Sequence, residues 1–250
     1  MSADYGAGGL VAILTPQANT TVEAELGVLL EPDVATIVSR LTCYEQDSRT
    51  RLMGYFHSVP ASLRAFDTAK PAFGLFACTG STYLVGLNEE DRAFAALPLP
   101  LISAARAVLQ ALGDLNAKRL ALVSPYPAWL TEACIAFWQS HGKTVVEVRA
   151  PPGDRSDSRR IYDLGSSQAL EQINGLANAK VDCILVTGTG MPSLAAIAKA
   201  RPAPPVLSSN LCLAWAGHCK LGREIPLRVW LAQDAPWRER LALRFPKALQ

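Results

Sequence analysis

Short runs rich in Val, Ile and Leu recur along the chain, each giving way to a turn of small hydroxylated residues and then to a longer amphipathic stretch. Apolar runs of about four to eight residues that do not alternate with polar ones suit strands covered on both faces. Strands separated by helices pair in parallel, so the pattern specifies an α/β protein built from βαβ units. The spacing predicts strands at 9–15, 34–41, 72–78, 119–124, 144–149, 181–187 and 205–208. It predicts helices at about 20–30, 58–69, 101–113, 127–141, 166–178, 191–200 and 211–221.

The pattern also repeats on a larger scale. "LVAILTPQANTTVEAEL" (10–26) and "LALVSPYPAWLTEACIAF" (120–137) both read strand, Thr/Ser-Pro, turn, helix. "FGLFACTGST" (73–82) has its counterpart in "CILVTGTGMPS" (183–193), with Gly188 about where the first copy has Cys78. Two half-repeats imply two similar lobes with ligand held between them, because open parallel sheets bind ligands beyond the carboxyl ends of their strands. The first lobe is expected to span 1–100 together with about 211–250, and the second 101–210. The Pro-, Gly- and Ser-rich segment 150–160 reads as a solvated, mobile loop.

Composition narrows the class. Half of the 250 residues are hydrophobic and 18% are charged, which suits a packed core and argues against disorder. The net charge of +2 carries no long block of one sign, so no nucleic-acid footprint is expected. The start "MSADYGAGGLVAIL" lacks a basic segment and a long apolar one, and no apolar run reaches the roughly 18–20 residues of a membrane span. The six cysteines show no CxxC spacing and the three histidines no metal-like neighbours. A reduced cytoplasmic protein with no metal and no cofactor is the expectation. The apolar composition and five tryptophans are compatible with a homo-oligomer interface.

Chemistry concentrates at the turns. "TPQANTT", "CTGST", "TGTG" and "SSN" each fall where a strand gives way to a helix. Backbone N–H groups at such points, with Ser, Thr and Asn side chains, hold carboxylate or phosphate, although one turn alone would be only a helix cap. Four at comparable strand ends favour a shared anion site. There is no GxxxxGK[ST], and "GTG" lacks the third glycine of GxGxxG, so nucleotide binding is weakly supported. Cys78, at the first turn of a helix, is placed to feel the positive end of the helix dipole, which lowers a thiol pKa and makes a nucleophile or proton carrier. Tyr126, just beyond a strand, can donate a hydrogen bond to a carboxylate or a developing enolate. Cys43, Cys134, Cys183 and Cys212 read as core, and no Ser–His–Asp set can be assembled from His57, His141 and His218.

Together "PQANTTVEAE" (16–25), "ACTGSTYLVG" (77–86), "AKRLALVSPYPAWLTEA" (117–133), "VTGTGMPSLAAI" (186–197) and "PVLSSNLCLAW" (205–215) resemble the aspartate/glutamate racemase superfamily. Within it they are similar to the branch of maleate cis–trans isomerase and arylmalonate decarboxylase. The resemblance implies two pseudo-symmetric Rossmann-like lobes, an inter-lobe active site and cofactor-independent chemistry on a small carboxylate or dicarboxylate. It implies Cys78 and Tyr126 as catalytic residues. Substrate binding falls to Asn19, Thr79, Ser209 and Asn210 and the backbone of Gly188, Thr189 and Gly190, with Pro16 and Gly80 beside them. Members commonly carry a cysteine from each lobe; here Thr187-Gly188-Thr189 stands where the second is expected.

One thiol sorts the reactions. Racemisation needs a base on one face and an acid on the other, and becomes the least favoured. Cis–trans isomerisation through a covalent adduct needs one nucleophile and an enediolate site. Decarboxylation of a malonate-like acid needs one proton donor, but the resemblance puts the decarboxylase thiol in the opposite lobe. The motifs lean to the isomerase, the decarboxylase is second, and a non-catalytic carboxylate-binding protein is third.

Overall fold

The computed structural model of the chain describes residues 5–250; residues 1–4, where the leaderless start is read, lie outside it. Eight strands form two four-stranded parallel sheets. The first holds β1 (Leu10–Pro16), β2 (Ala35–Leu41), β3 (Phe73–Phe76) and β4 (Leu101–Ser103), in the order β2-β1-β3-β4. The second holds β5 (Arg119–Val123), β6 (Thr144–Arg149), β7 (Cys183–Val186) and β8 (Val206–Ser208), in the order β6-β5-β7-β8. The identical order is the half-repeat made visible. β1, β3 and β7 are buried at every position, as unbroken apolar runs require, whereas β6 lies at an edge and alternates between exposed and half-buried. Among the described residues no helix is long and apolar enough to cross a membrane.

β4 was not legible as a strand. Its three residues merge with the apolar stretch that follows, and the helix expected from 101 begins at Ala104, where the Ser103 hydroxyl accepts the Arg106 N–H. The first sheet therefore runs past residue 100. Ser208 plays the same part in the second lobe, capping the helix Ser209–Lys220 through the Leu211 N–H. These two matching helices pack on one another, and Ser209–Lys220 also packs on Thr21–Leu29 of the first lobe. The helix expected at 58–69 is replaced by Ser48–His57 and Val59–Arg64, divided just before Pro60. Gly86, at φ +75°, ends the helix that follows Cys78 and lets a second begin at Leu87.

Candidate active site between the lobes

All four Ser/Thr/Gly-rich turns open on the carboxyl ends of the two sheets, and side chains cross from lobe to lobe there. After β1 the Asn19 Oδ1 accepts the Thr21 and Val22 N–H groups, at 3.0 and 3.2 Å, which starts the helix Thr21–Leu29. That leaves the Asn19 Nδ2 to donate to the Thr189 Oγ1 of the other lobe, at 3.2 Å. Thr189 donates in turn to the Ala77 carbonyl at 2.8 Å, and the Thr21 hydroxyl donates to the Gly190 carbonyl at 2.8 Å. Tyr126, beyond β5, lies with its hydroxyl 2.7 Å from the Thr79 Oγ1. Burial pushes the Tyr126 phenol well up, so it is a hydrogen-bond donor at any ordinary pH.

Cys78 sits at the start of the helix Thr79–Val85, 4% exposed. Its sulfur is 3.1 Å from the Ser81 Oγ, whose proton goes to the Leu52 carbonyl at 2.6 Å. The thiol therefore donates to Ser81 in the resting site. Burial pushes the thiol pKa up, while the Ser81 hydroxyl and the Ser81 and Gly80 N–H groups pull against it. This corrects the lowered pKa expected from the helix position: the same N–H groups are present, but losing water outweighs them. Alkylation of Cys78 by iodoacetamide is expected to keep accelerating as pH rises through 9, the ordinary value for a thiol. A plateau near neutral pH would show a stabilised thiolate instead.

Opposite Cys78, Gly188 has φ +85°. A Cβ there would lie 2.7 Å from the Ile161 Cδ1, 3.2 Å from the Tyr126 hydroxyl and 3.3 Å from the Pro125 Cγ. The absence of a side chain at 188 is thus built into the backbone and its neighbours. Gly188→Ala is expected to cost about 1–3 kcal/mol through the left-handed backbone and the crowding of Ile161, read as a lowered midpoint of thermal unfolding.

Pro16, Asn19, Cys78, Thr79, Gly80, Tyr126, Gly188, Thr189 and Gly190 all line one inter-lobe cavity. Ser209 and Asn210 do not. Asn210 stands behind the wall, donating through its Nδ2 to the Thr189 carbonyl at 3.0 Å and to the Glu25 carboxylate at 2.8 Å. The Ser209 hydroxyl is buried without a partner.

The remaining walls come from residues the motifs did not single out. Arg51, Leu52 and Tyr55 lie on the helix Ser48–His57, and Ser158, Arg159, Ile161 and Tyr162 on the 3₁₀ turn Ser158–Asp163. Segment 150–160 is expected from its composition to be solvated and mobile, yet its Asp157 is tied across the cleft. Arg51, 2% exposed, donates to Asp157 Oδ1 at 2.7 Å and lies 3.3 Å from Ser158 Oγ. Burial pushes the Asp157 carboxyl up, but Arg159 and Arg51 overcome this and hold it at about 2. Burial likewise pushes the Tyr55 phenol up to about 12. The helix was detectable in principle: Asp47 caps it, and Arg51, Leu52, Tyr55 and Phe56 share its buried face at helical spacing. The cavity so enclosed measures only about 40 Å³. That volume admits waters and is smaller than an organic acid.

Comparison with known proteins agrees with the fold. No family model matches the chain. The maleate isomerase of Nocardia farcinica is 27% identical over 243 residues, covering 88% of this chain and 91% of the relative. The maleate isomerase of Alcaligenes faecalis is 25% identical over 235 residues, covering 84% of this chain and 90% of the relative, so the chain is a homologue of maleate isomerases. A cysteine-to-serine mutant of the Nocardia farcinica maleate cis–trans isomerase, solved with a covalently bound succinylcysteine intermediate, superposes with a TM-score of 0.73 at 23% identity. That match covers 86% of this chain and 93% of the mutant. Arylmalonate decarboxylase superposes with a TM-score of 0.70 at 21% identity, covering 86% of this chain and 93% of the decarboxylase. The two four-stranded parallel sheets flanked by helices match the fold of the maleate isomerase structures.

Proposed function

We propose that the protein is a cofactor-independent isomerase that converts a small cis-unsaturated dicarboxylate, such as maleate, to its trans isomer through a covalent adduct on Cys78. The observation that carries this reading is a single buried thiol at the end of β3, within a cleft whose other donors are hydroxyls, an amide, backbone N–H groups and the guanidinium groups of Arg51 and Arg159. The thiol passes its proton to a substrate carboxylate oxygen as the sulfur adds to one alkene carbon, and takes it back when the carbon–sulfur bond later breaks. The displaced electron pair moves into the carboxylate attached to the other alkene carbon, giving an enediolate. The former double bond is now single and rotates; the electron pair returns, the carbon–sulfur bond breaks and the trans acid leaves. Thiolate character during this step is supported by the Ser81 hydroxyl and the Ser81 and Gly80 N–H groups. The enediolate oxygens are bonded by Tyr126, Thr79 and Asn19.

A cysteine-to-serine mutant of the Nocardia farcinica maleate isomerase carries a covalently bound succinylcysteine intermediate, which supports an adduct on Cys78 here. Decarboxylation of a malonate-like acid is the second reading, because Gly188 leaves a single proton donor in the cleft. Binding without catalysis is the third, and the placement of Cys78 speaks against it.

Proton NMR of the protein with maleate in one sample and phenylmalonate in another separates these readings. Fumarate forming from maleate supports the isomerase. Phenylacetate from phenylmalonate would make the protein a decarboxylase, and neither product would leave carboxylate binding. In the active reaction, Tyr126→Phe is expected to lower kcat about 100-fold, the scale of losing one oxyanion donor.

A further inference from the structure

A second cavity lies on the far side of the second lobe, where the C-terminal segment crosses the end of β8, and measures about 540 Å³. That is within the roughly 300–1,000 Å³ typical of small-molecule sites. Three arginines line it: Arg201, Arg228 and Arg238. Several arginines elsewhere on the chain meet carboxylates, as in Arg51–Asp157, Arg106–Asp91, Arg223–Asp33 and Arg240–Glu31. Among the described residues these three form no such pair. Arg201 and Arg238 instead converge on one acceptor, both donating to the Ala198 carbonyl, at 2.7 and 3.3 Å. Arg228 makes no side-chain hydrogen bond among the described residues. Burial, and then the nearby Arg201, lower the Arg238 pKa, as expected of like charges drawn together without a counter-ion. The one acid in the lining, Asp182, is already engaged: its Oδ2 accepts the Lys118 and Arg119 N–H groups, each at 2.8 Å.

We infer that this groove is a binding site for a multiply charged anion bearing phosphate or carboxylate groups, separate from the inter-lobe cleft. Each guanidinium retains unused N–H donors, and carboxylate and phosphate are the groups whose geometry matches its fork. The occupant supplies the negative charge that the fold withholds. Capping of the helix Leu194–Lys199 accounts for Arg201 and Arg238 near its last carbonyls, but not for Arg228, which caps nothing.

The test is isothermal titration of the intact protein with inorganic pyrophosphate and, separately, with citrate, both at constant ionic strength. Saturable binding of at least one of them is expected, and the preferred probe assigns the phosphate or the carboxylate class. Arg228→Ala and Arg201→Ala are each expected to weaken it about tenfold, as for loss of one charge-assisted contact. Because Arg228 makes no side-chain hydrogen bond, its removal leaves the fold undisturbed, which an unchanged unfolding midpoint verifies. No saturable binding of either anion would overturn the proposal. So would binding that persists when Arg201→Ala and Arg228→Ala are combined, since it would place the anion elsewhere, the catalytic cleft included.

Discussion

Cys78→Ala is expected to abolish turnover of maleate, by about 10⁴-fold or more, while leaving the unfolding midpoint close to that of the parent. The size of the loss follows from the part the sulfur plays: it makes and breaks the only covalent bond to substrate, and removal of a nucleophile costs several orders of magnitude in comparable enzymes. Nothing else in the cleft can replace it. Cys43 is half-buried outside the cavity lining, and Cys134, Cys183 and Cys212 are buried away from it. Gly188 offers no side chain on the opposite face. The fold should tolerate the change, since the sulfur's contacts with Ser81 are local and Ser81 retains its bond to the Leu52 carbonyl. Fumarate release followed by NMR, with far-UV circular dichroism on the same samples, reads both halves of the expectation. An unchanged rate would remove the covalent mechanism outright.

Much of this arrangement can be read in the chain because parallel sheets write themselves plainly: β1, β3, β5 and β7 are continuous apolar runs, and the turns that follow them carry the site. Cys78, Tyr126, Asn19 and Gly188 follow from that logic, since a strand end followed by hydroxyls and glycines has few other uses. Arg51 and Asp157 do not. A buried arginine looks like any surface arginine until its partner is known, and that partner is 106 residues away in a stretch whose charge and prolines suggest solvent. The thiol pKa was misjudged for a related reason. The helix position is local and visible, whereas desolvation depends on what both lobes place around the sulfur. Asn210 was placed at the right strand end but on the wrong side of the wall, because sequence fixes the position of a side chain along a helix and not which of two neighbours it will bond.

Glu25→Ala is expected to be the most destabilising single change at the lobe interface, costing about 3–5 kcal/mol. Glu25 comes from the helix Thr21–Leu29 of the first lobe, and its carboxylate is buried in the second. It accepts the Ser193 N–H at 2.5 Å, the Leu194 N–H at 2.9 Å and the Asn210 Nδ2 at 2.8 Å, with the Ser193 hydroxyl about 3 Å from both oxygens. Burial pushes its carboxyl pKa up, and these donors hold it down in part. Truncation strands all of them at once, which outweighs relief from desolvating the charge. For a chain of this length about 1 kcal/mol corresponds to roughly 2–4 °C, so the midpoint should fall on the order of 10 °C. Glu25→Gln separates the two contributions. It keeps one oxygen for the backbone N–H groups but turns an amide toward the Asn210 amide, opposing donor to donor. If Gln restored the midpoint fully, the bond to Asn210 would be dispensable; a partial rescue with depressed kcat would show that Glu25, through Asn210 and the Thr189 carbonyl, sets the position of the wall facing Cys78.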